Sequence, residues 1–441
     1  MSDNTRRVRI EGVDWIAFAP VLNLARAFRM ALQPGKLVLA LVAVLLLFGV
    51  GELLDLAWGD VAELPDGTEQ GIYEATLDRQ LGGLNMMMHS ALSLDLGLGD
   101  AEYGRPTGVV GALRYVAIDT PTWLFKNHPW FAAVFGLIKL LVVGLFGGAI
   151  CRMSATQACT GKTISAVEAL RYTTQRLMWF VATPLMPALL IAVLAGLLAL
   201  AGLVFFNAPV LDVVGAVVFG LLLVVGLLIT LVGIGLVLGV PLMIPCLAVE
   251  GTDGFDAVSR CYNYVFFRPW HYALYIVSMI GFAAVSYAVV AAVASATVGA
   301  TDYFVGAGGI AVMDEVSVDD LTRYDVVSAE ATSPFLAAEL DGEVEGTPAV
   351  ASWIVAQWVR LVWALVAAFM LSLYFCMTTW VYLLLRHTAD GTPMDDCDTG
   401  EGDVLWAKTP EPASAKNESS AAAPPKAEPG SDAAAGAPAG G

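Results

Sequence analysis

A chain of 441 residues that is 57% hydrophobic and only 15% charged, with a mean hydropathy of +0.70, is too apolar for a water-soluble domain, which is roughly half apolar and a quarter charged. The excess must face lipid rather than fill a larger core. The net charge of −18 is local: residues 52–128 hold 12 acidic and 4 basic side chains and residues 298–350 hold 11 and 1, which accounts for all of it. Acidic surface without a Lys/Arg cluster excludes nucleic acid as a partner.

Spans were sought as runs of about 20 mainly apolar residues, the length that crosses ~30 Å of hydrocarbon at ~1.5 Å per residue. Residues 1–36 form a basic N-terminal segment, with an amphipathic helix expected over Leu22–Gln33. The first span is Leu37–Leu54; it reads as a signal anchor that stays, because no small-residue cleavage site follows it. An acidic external region occupies 55–128, and the second span is Trp130–Ile150. After it, Ser165-Ala166-Val167-Glu168 has the spacing of a capping box, so a second amphipathic helix is expected from Ala166. Spans three and four are Trp179–Phe206 and Val213–Ala248. The fourth run is free of charge for 36 residues and would reach roughly 54 Å as a straight helix. A break or kink is therefore expected at Pro241 and Pro245, each of which removes a backbone donor. Asp253 is a good N-cap for a third amphipathic helix over Gly254–Phe266. Spans five and six are Trp270–Val298 and Trp353–Leu385, joined by an acidic external loop at 299–350. Residues 386–441 form a cytoplasmic tail; beyond Lys408 it is Ala, Pro, Gly, Ser, Glu and Lys, a composition that cannot fold alone.

The fold class that follows is all-α: a polytopic bundle of six spans with three cytoplasmic interfacial helices. The three helix–span–span units (1–150, 151–250 and 251–385) are arranged in tandem and run parallel. Orientation follows the cationic flanks. Arg6, Arg7, Arg9, Arg26, Arg29 and Lys36, then Arg152, Lys162, Arg171 and Arg176, then Arg260, Arg268 and Arg386 all fall on one side. That side is the cytoplasm, so both termini are cytoplasmic and the bilayer is the cell (cytoplasmic, inner) membrane. Trp130, Trp179, Trp270, Trp358 and Trp380 sit where aromatic belts belong.

The segments Leu22–Lys36, Gly254–Tyr272 and Tyr382–Asp396 carry an Arg-Ala-Phe-Arg helix, an Asp-Ala-x-Ser-Arg stretch followed by Arg-Pro-Trp, and a late Asp-Gly-Thr. In these the chain resembles an uncharacterised family of bacterial multi-pass membrane proteins. The resemblance implies the same membrane fold and no known activity.

Few residues suggest chemistry. Thr160-Gly161-Lys162-Thr163 resembles the end of a phosphate-binding loop, but position 156 is Thr where that motif requires Gly. Met86-Met87-Met88-His89 offers soft ligands that point in different directions on a helix. Asp314-Glu315 and Asp319-Asp320 lack the spacing of a calcium loop. The six cysteines form no CxxC and no Cys/His metal pattern, and all six read as unpaired thiols. No catalytic residue, metal ligand or cofactor site is assigned, and the chain is read as not an enzyme. The candidate functional residues lie inside spans. Lys139 is ~14 Å below Trp130 by helical rise, where a charge is costly and faces the bundle interior; Glu52 and Asp212 are the carboxylates within reach. Pro184 and Pro187 open span three, and Pro241 and Pro245 close span four; interrupted spans mark binding sites or gates. Gly144 and Gly148 of span two and Gly215, Gly220, Gly226, Gly233, Gly235 and Gly239 of span four are expected to permit close helix packing. The functional expectation is a membrane protein that organises or assembles partners. The alternative is a small-solute transporter or channel with Lys139 and the two Pro pairs along the path. The bilayer, possible protein partners and a possible homo-oligomer are the expected associations.

Overall fold

The computed structural model describes residues 24–59, 61–63, 69–95, 97, 108–206, 211–309, 347–394 and 396–397. Arg6, Arg7, Arg9, the 310–346 part of the external loop with its paired carboxylates, and the chain after 398 lie outside the described residues.

The architecture is an all-α polytopic bundle. Among the described residues, six helices are long and apolar enough to cross a membrane. Span 1 is α2 (Pro34–Trp58), preceded by the short α1 (Leu24–Ala31). Outside the bundle come a two-stranded antiparallel hairpin (β1 Val61–Glu63, β2 Glu69–Gly71) and α3 (Ile72–Leu92). Next are α4 (Gly108–Arg114), a π-turn at Tyr115–Asp119 and α5 (Thr120–Asn127). Span 2 is α6 (Pro129–Val142), a π-turn at Val143–Gly147 and α7 (Gly148–Thr160). Then follow α8 (Ala166–Gln175), span 3 as α9 (Leu177–Phe205), span 4 as α10 (Leu211–Glu250), the short α11 (Gly254–Phe267), span 5 in α12 (Pro269–Gly309) and span 6 in α13 (Thr347–Asp390).

Both expected caps form. The Ser165 hydroxyl accepts from the Glu168 amide at 3.2 Å, and Asp253 accepts from the Asp256 amide at 2.9 Å. Each satisfies an orphan donor of the first turn. The Thr160–Thr163 stretch is the end of α7, with Gly161 in the left-handed region (φ 71°), a helix C-cap and not a phosphate loop.

The main core is at the end of the bundle where Arg and Lys flank the spans, called here the basic end. It joins Leu24 and Ala27 of α1, Leu39 and Ala40 of span 1, Ile150 and Cys151 of α7, Ala169 of α8, Phe180 of span 3, Leu242–Val249 of span 4, Cys261 and Tyr264 of α11, and Leu373–Leu385 of span 6. The three short helices therefore bury one face in a shared protein core and leave Val167 and Phe255 exposed on the other. Span 6 is the central element: it packs on α1, α7 and spans 1, 4 and 5, and 61% of its most apolar stretch is buried. Gly148 of α7 admits Thr173 and Phe180, since a Cβ there would come within 2.6 Å of Thr173 and 2.8 Å of Phe180.

The break considered for span 4 at Pro241 and Pro245 does not form. Span 4 is one unbroken α-helix through both, and span 3 likewise continues through Pro184 and Pro187. The spans are not interrupted. The length of the apolar run has another cause. Residues 211–240 are largely exposed, a stretch of about 45 Å by helical rise, which suffices for the bilayer. Leu242–Val249 are then all buried in the basic-end core. One run of hydropathy thus serves two apolar environments, lipid first and protein second.

A second, smaller core caps the outer ends of spans 1 and 2 with Ile72, Tyr73, Leu124, Phe131 and Phe135. Asp55, in the last turn of span 1, reaches across to the start of α3. Its carboxylate accepts from the Tyr73 amide at 2.8 and 3.0 Å and from the Glu74 amide at 3.1 Å. This N-cap is supplied from another helix, and it fixes the angle at which α3 leaves the hairpin. Burial, then the nearby Glu52 and Asp55 carboxylates, push the Tyr73 phenol above its ordinary range.

The cysteine reading requires a correction. Cys159, near the end of α7, and Cys397, after α13, form a disulfide with α-carbons 6.3 Å apart. Cys151, Cys246, Cys261 and Cys376 are free and buried. The pairing joins residues 238 positions apart, a proximity that spacing cannot reveal.

Candidate functional site

The densest polar constellation surrounds the last turn of span 4. Glu250 is the last residue of α10, where the helix leaves its carbonyls unpaired. Side chains from elsewhere donate to carbonyls around this end: Tyr172 Oη to Leu247 at 3.2 Å, Arg152 Nη1 to Ala248 at 2.9 Å, and Arg176 Nη1 to Gly251, just past the helix. Both guanidiniums also lie over the Tyr172 ring, 4.1 and 5.0 Å from its centroid. Cations at a helix C-terminus complement its partial negative charge.

The Glu250 carboxylate ties this end to span 6 and α11. Its Oε1 receives Arg386 Nε at 3.0 Å and Tyr382 Oη at 3.0 Å, and its Oε2 faces Arg260 at 3.7 Å. The Cys246 thiol donates to Tyr382 Oη at 3.3 Å. Arg386 is almost fully buried, and its remaining donors go to Asp396. Arg260 also pairs with Asp256 at 2.8 Å, and Tyr264 Oη donates to Asp390 at 2.5 Å. Burial, then that hydrogen bond, hold the Tyr264 phenol above its ordinary range. Glu250, Arg386, Arg260, Asp256 and Asp396 form one ion-pair network, so the cluster acts as a clamp that fixes three helix ends.

Lys36 occupies a separate buried position. The sequence reading counts it as a flank cation, yet it is fully buried. Its Nζ donates to Gln157 Oε1 at 2.9 Å, beside the Cys151 and Cys376 thiols. Ser154 Oγ is 3.2 Å from Cys376 Sγ in the same pocket of side chains.

The sequence-predicted residues are not brought together. Lys139 lies on α6, about 15 Å from the outer end of span 2 by helical rise, and is half-buried. Its Nζ donates to Gln80 Oε1 at 3.1 Å. The partner is thus the neutral amide of α3, not Glu52 or Asp212. The external helix α3 packs on spans 1 and 5, which places Gln80 within reach. Pro187 and Pro245 are buried, and Pro184 and Pro241 partly so, at the basic end. Gly254 at the start of α11 sits against Thr183, Trp179 and Met186, so this stretch of span 3 is occupied by protein. Tyr262 and Tyr272 donate to the Val232 and Leu238 carbonyls of span 4, just before its Pro pair.

Among the described residues no group of three or more His, Cys, Asp or Glu is placed to hold a metal ion. The Glu250–Arg386–Tyr382 clamp and Lys36 were not singled out from the sequence. The available signal was a charge at each end of a long apolar run, which also describes ordinary flank residues. No family model, curated protein or solved structure matches the chain.

Proposed function

We propose that this chain organises or assembles membrane partners, without catalysis, in the cytoplasmic membrane, with its basic end and both termini in the cytoplasm. One observation supports the assembly reading above the others. Spans 3 and 4 pack chiefly on each other and on the basic end, and the most apolar stretches of the two are 0% and 6% buried. The most apolar stretches of the other four spans are 22–61% buried, so this hairpin offers the least covered intramembrane surface for partner helices. Native mass spectrometry from the source membrane in mild detergent tests this. A stoichiometric foreign protein is expected; the bare chain, alone or as a homo-oligomer with a retained small solute, sinks the reading.

A second reading is supported by the Lys139–Gln80 contact. A cation well inside a span with a neutral partner suits a solute path. Lys139→Leu separates the two. For an assembly protein it inserts normally and keeps its partners. For a transporter or channel it inserts normally and loses flux.

A further inference from the structure

The disulfide lies at the basic end, on the side that the proposed orientation puts in a reducing compartment. Cys159 is one residue from the end of α7, and Cys397 lies in a short strap after α13, of which 391–394 and 396–397 are described. Both are partly exposed, whereas the four free cysteines are buried. Besides the disulfide, Met394 packs against the basic-end core, and the polar attachments are few. Arg386 Nη1 donates to the Asp396 carbonyl at 2.6 Å, and Nη2 meets its carboxylate at 3.2 Å. The Asp396 side chain is 68% exposed, so that ion pair is weak. His387 Nδ1 lies 3.1 Å from the Thr392 carbonyl. Arg386 also meets Glu250 through Nε at 3.0 Å, a contact that does not involve the strap. The covalent bond therefore joins this segment to α7, alongside the Met394 packing and the Asp396 contacts.

We propose that Cys159 and Cys397 are a reversible thiol modification site, a redox latch that docks the strap carrying Met394 and Cys397 when oxidised and releases it when reduced. This rests on the cytoplasmic placement of the basic end, because disulfides in that compartment are transient or regulatory rather than permanent. The oxidant is a low-molecular-weight disulfide of the glutathione type. One cysteine thiolate attacks it, forming a mixed disulfide and expelling one small thiolate. The other cysteine thiolate attacks the protein sulfur of that mixed disulfide, expelling the second small thiolate and closing the Cys159–Cys397 bond. The small disulfide gains two electrons and the protein pair loses two. The two thiol protons end on the two small thiols. Opening is the reverse, with two reduced small thiols.

The test uses the full chain in its own membrane, equilibrated with glutathione of set redox ratio, then denatured and alkylated with a maleimide. Four labels per chain are expected in the oxidised state and six in the reduced state, from the four free and two paired cysteines. Cys397→Ser should give five at reducing ratios and, because Cys159 then has no resolving thiol, four with one bound glutathione at oxidising ones. Hydrogen exchange of the strap peptide should lose protection on reduction, and in Cys397→Ser without reduction, while Asp396→Asn retains the redox response. A constant four or a constant six labels across cytosolic ratios overturns the latch, as does strap exchange that ignores reduction. A C-terminal reporter active only in the cytoplasm separates the two ideas. An inactive reporter overturns the placement, and the latch with it. An active reporter with constant labelling overturns the latch alone.

Discussion

The basic-end core and the outer part of the span 3–4 hairpin are built from the same kinds of residue and behave differently. Span 4 contains both. Its first 30 residues are mostly exposed, and Leu242–Val249 are buried on all sides. The first part is held by the bilayer, the second by protein contacts and by the Glu250 clamp. A side chain in the core therefore affects folding through packing and charge matching. The same change in the exposed stretch alters only what neighbours the protein in the membrane.

The sharpest way to break this contrast is at Glu250. Glu250→Ala leaves Arg386 buried without its carboxylate, and losing one partner of a buried pair costs about 3–5 kcal/mol. Thermal unfolding in detergent should show a large drop in Tm. Replacing both partners, as Glu250→Leu with Arg386→Met, should recover most of it. Leu223→Ala, on the exposed stretch, should leave Tm nearly unchanged. A Glu250→Ala variant as stable as the parent removes the clamp from the account.

Two glycines on the same helix give a smaller and more direct comparison. A Cβ at Gly235 would lie 2.2 Å from the Tyr262 ring, whereas at Gly226 nothing is within 4 Å. Gly235→Ala should destabilise by about 1–3 kcal/mol through overpacking. Gly226→Ala should be neutral or stabilise by up to about 1 kcal/mol through helix propensity. Equal effects from the two would mean that span 4 does not meet α11 as described.

The smallest effect is expected at Tyr262, whose hydroxyl donates to the Val232 carbonyl at 2.7 Å. Burial, then the neighbouring Cys261, push its phenol up to about 12. The folded value is above the unfolded one near 10. The contribution is therefore whole below pH ~10 and is lost as pH rises through about 12, the side on which the phenol ionises. Tyr262→Phe should lose about 0.5–1.5 kcal/mol at neutral pH, and a phenolate absorbance titration should lose one late-titrating group. A titration identical to the parent's would refute the assignment.

Much of this was readable from residues alone. Apolar runs of bilayer length located all six spans, because lipid imposes a length and a composition that other environments rarely require together. Ser165 and Asp253 announced two short helices, since a cap is a local interaction completed within three residues. What lay beyond the sequence was every relation between distant positions. Hydropathy could not separate Leu242–Val249 from the residues before it, because lipid and protein interior are equally dry. Lys36 read as a flank charge, yet Gln157 and two thiols enclose it. Lys139 read as a cation awaiting a carboxylate and meets an amide from an external helix. Cys159 and Cys397 read as separate thiols. The sequence by itself therefore determined which segments enter the bilayer, through the free energy of transferring each segment. Only the tertiary structure decided which buried polar group meets which, because that depends on helix ends brought together across hundreds of residues.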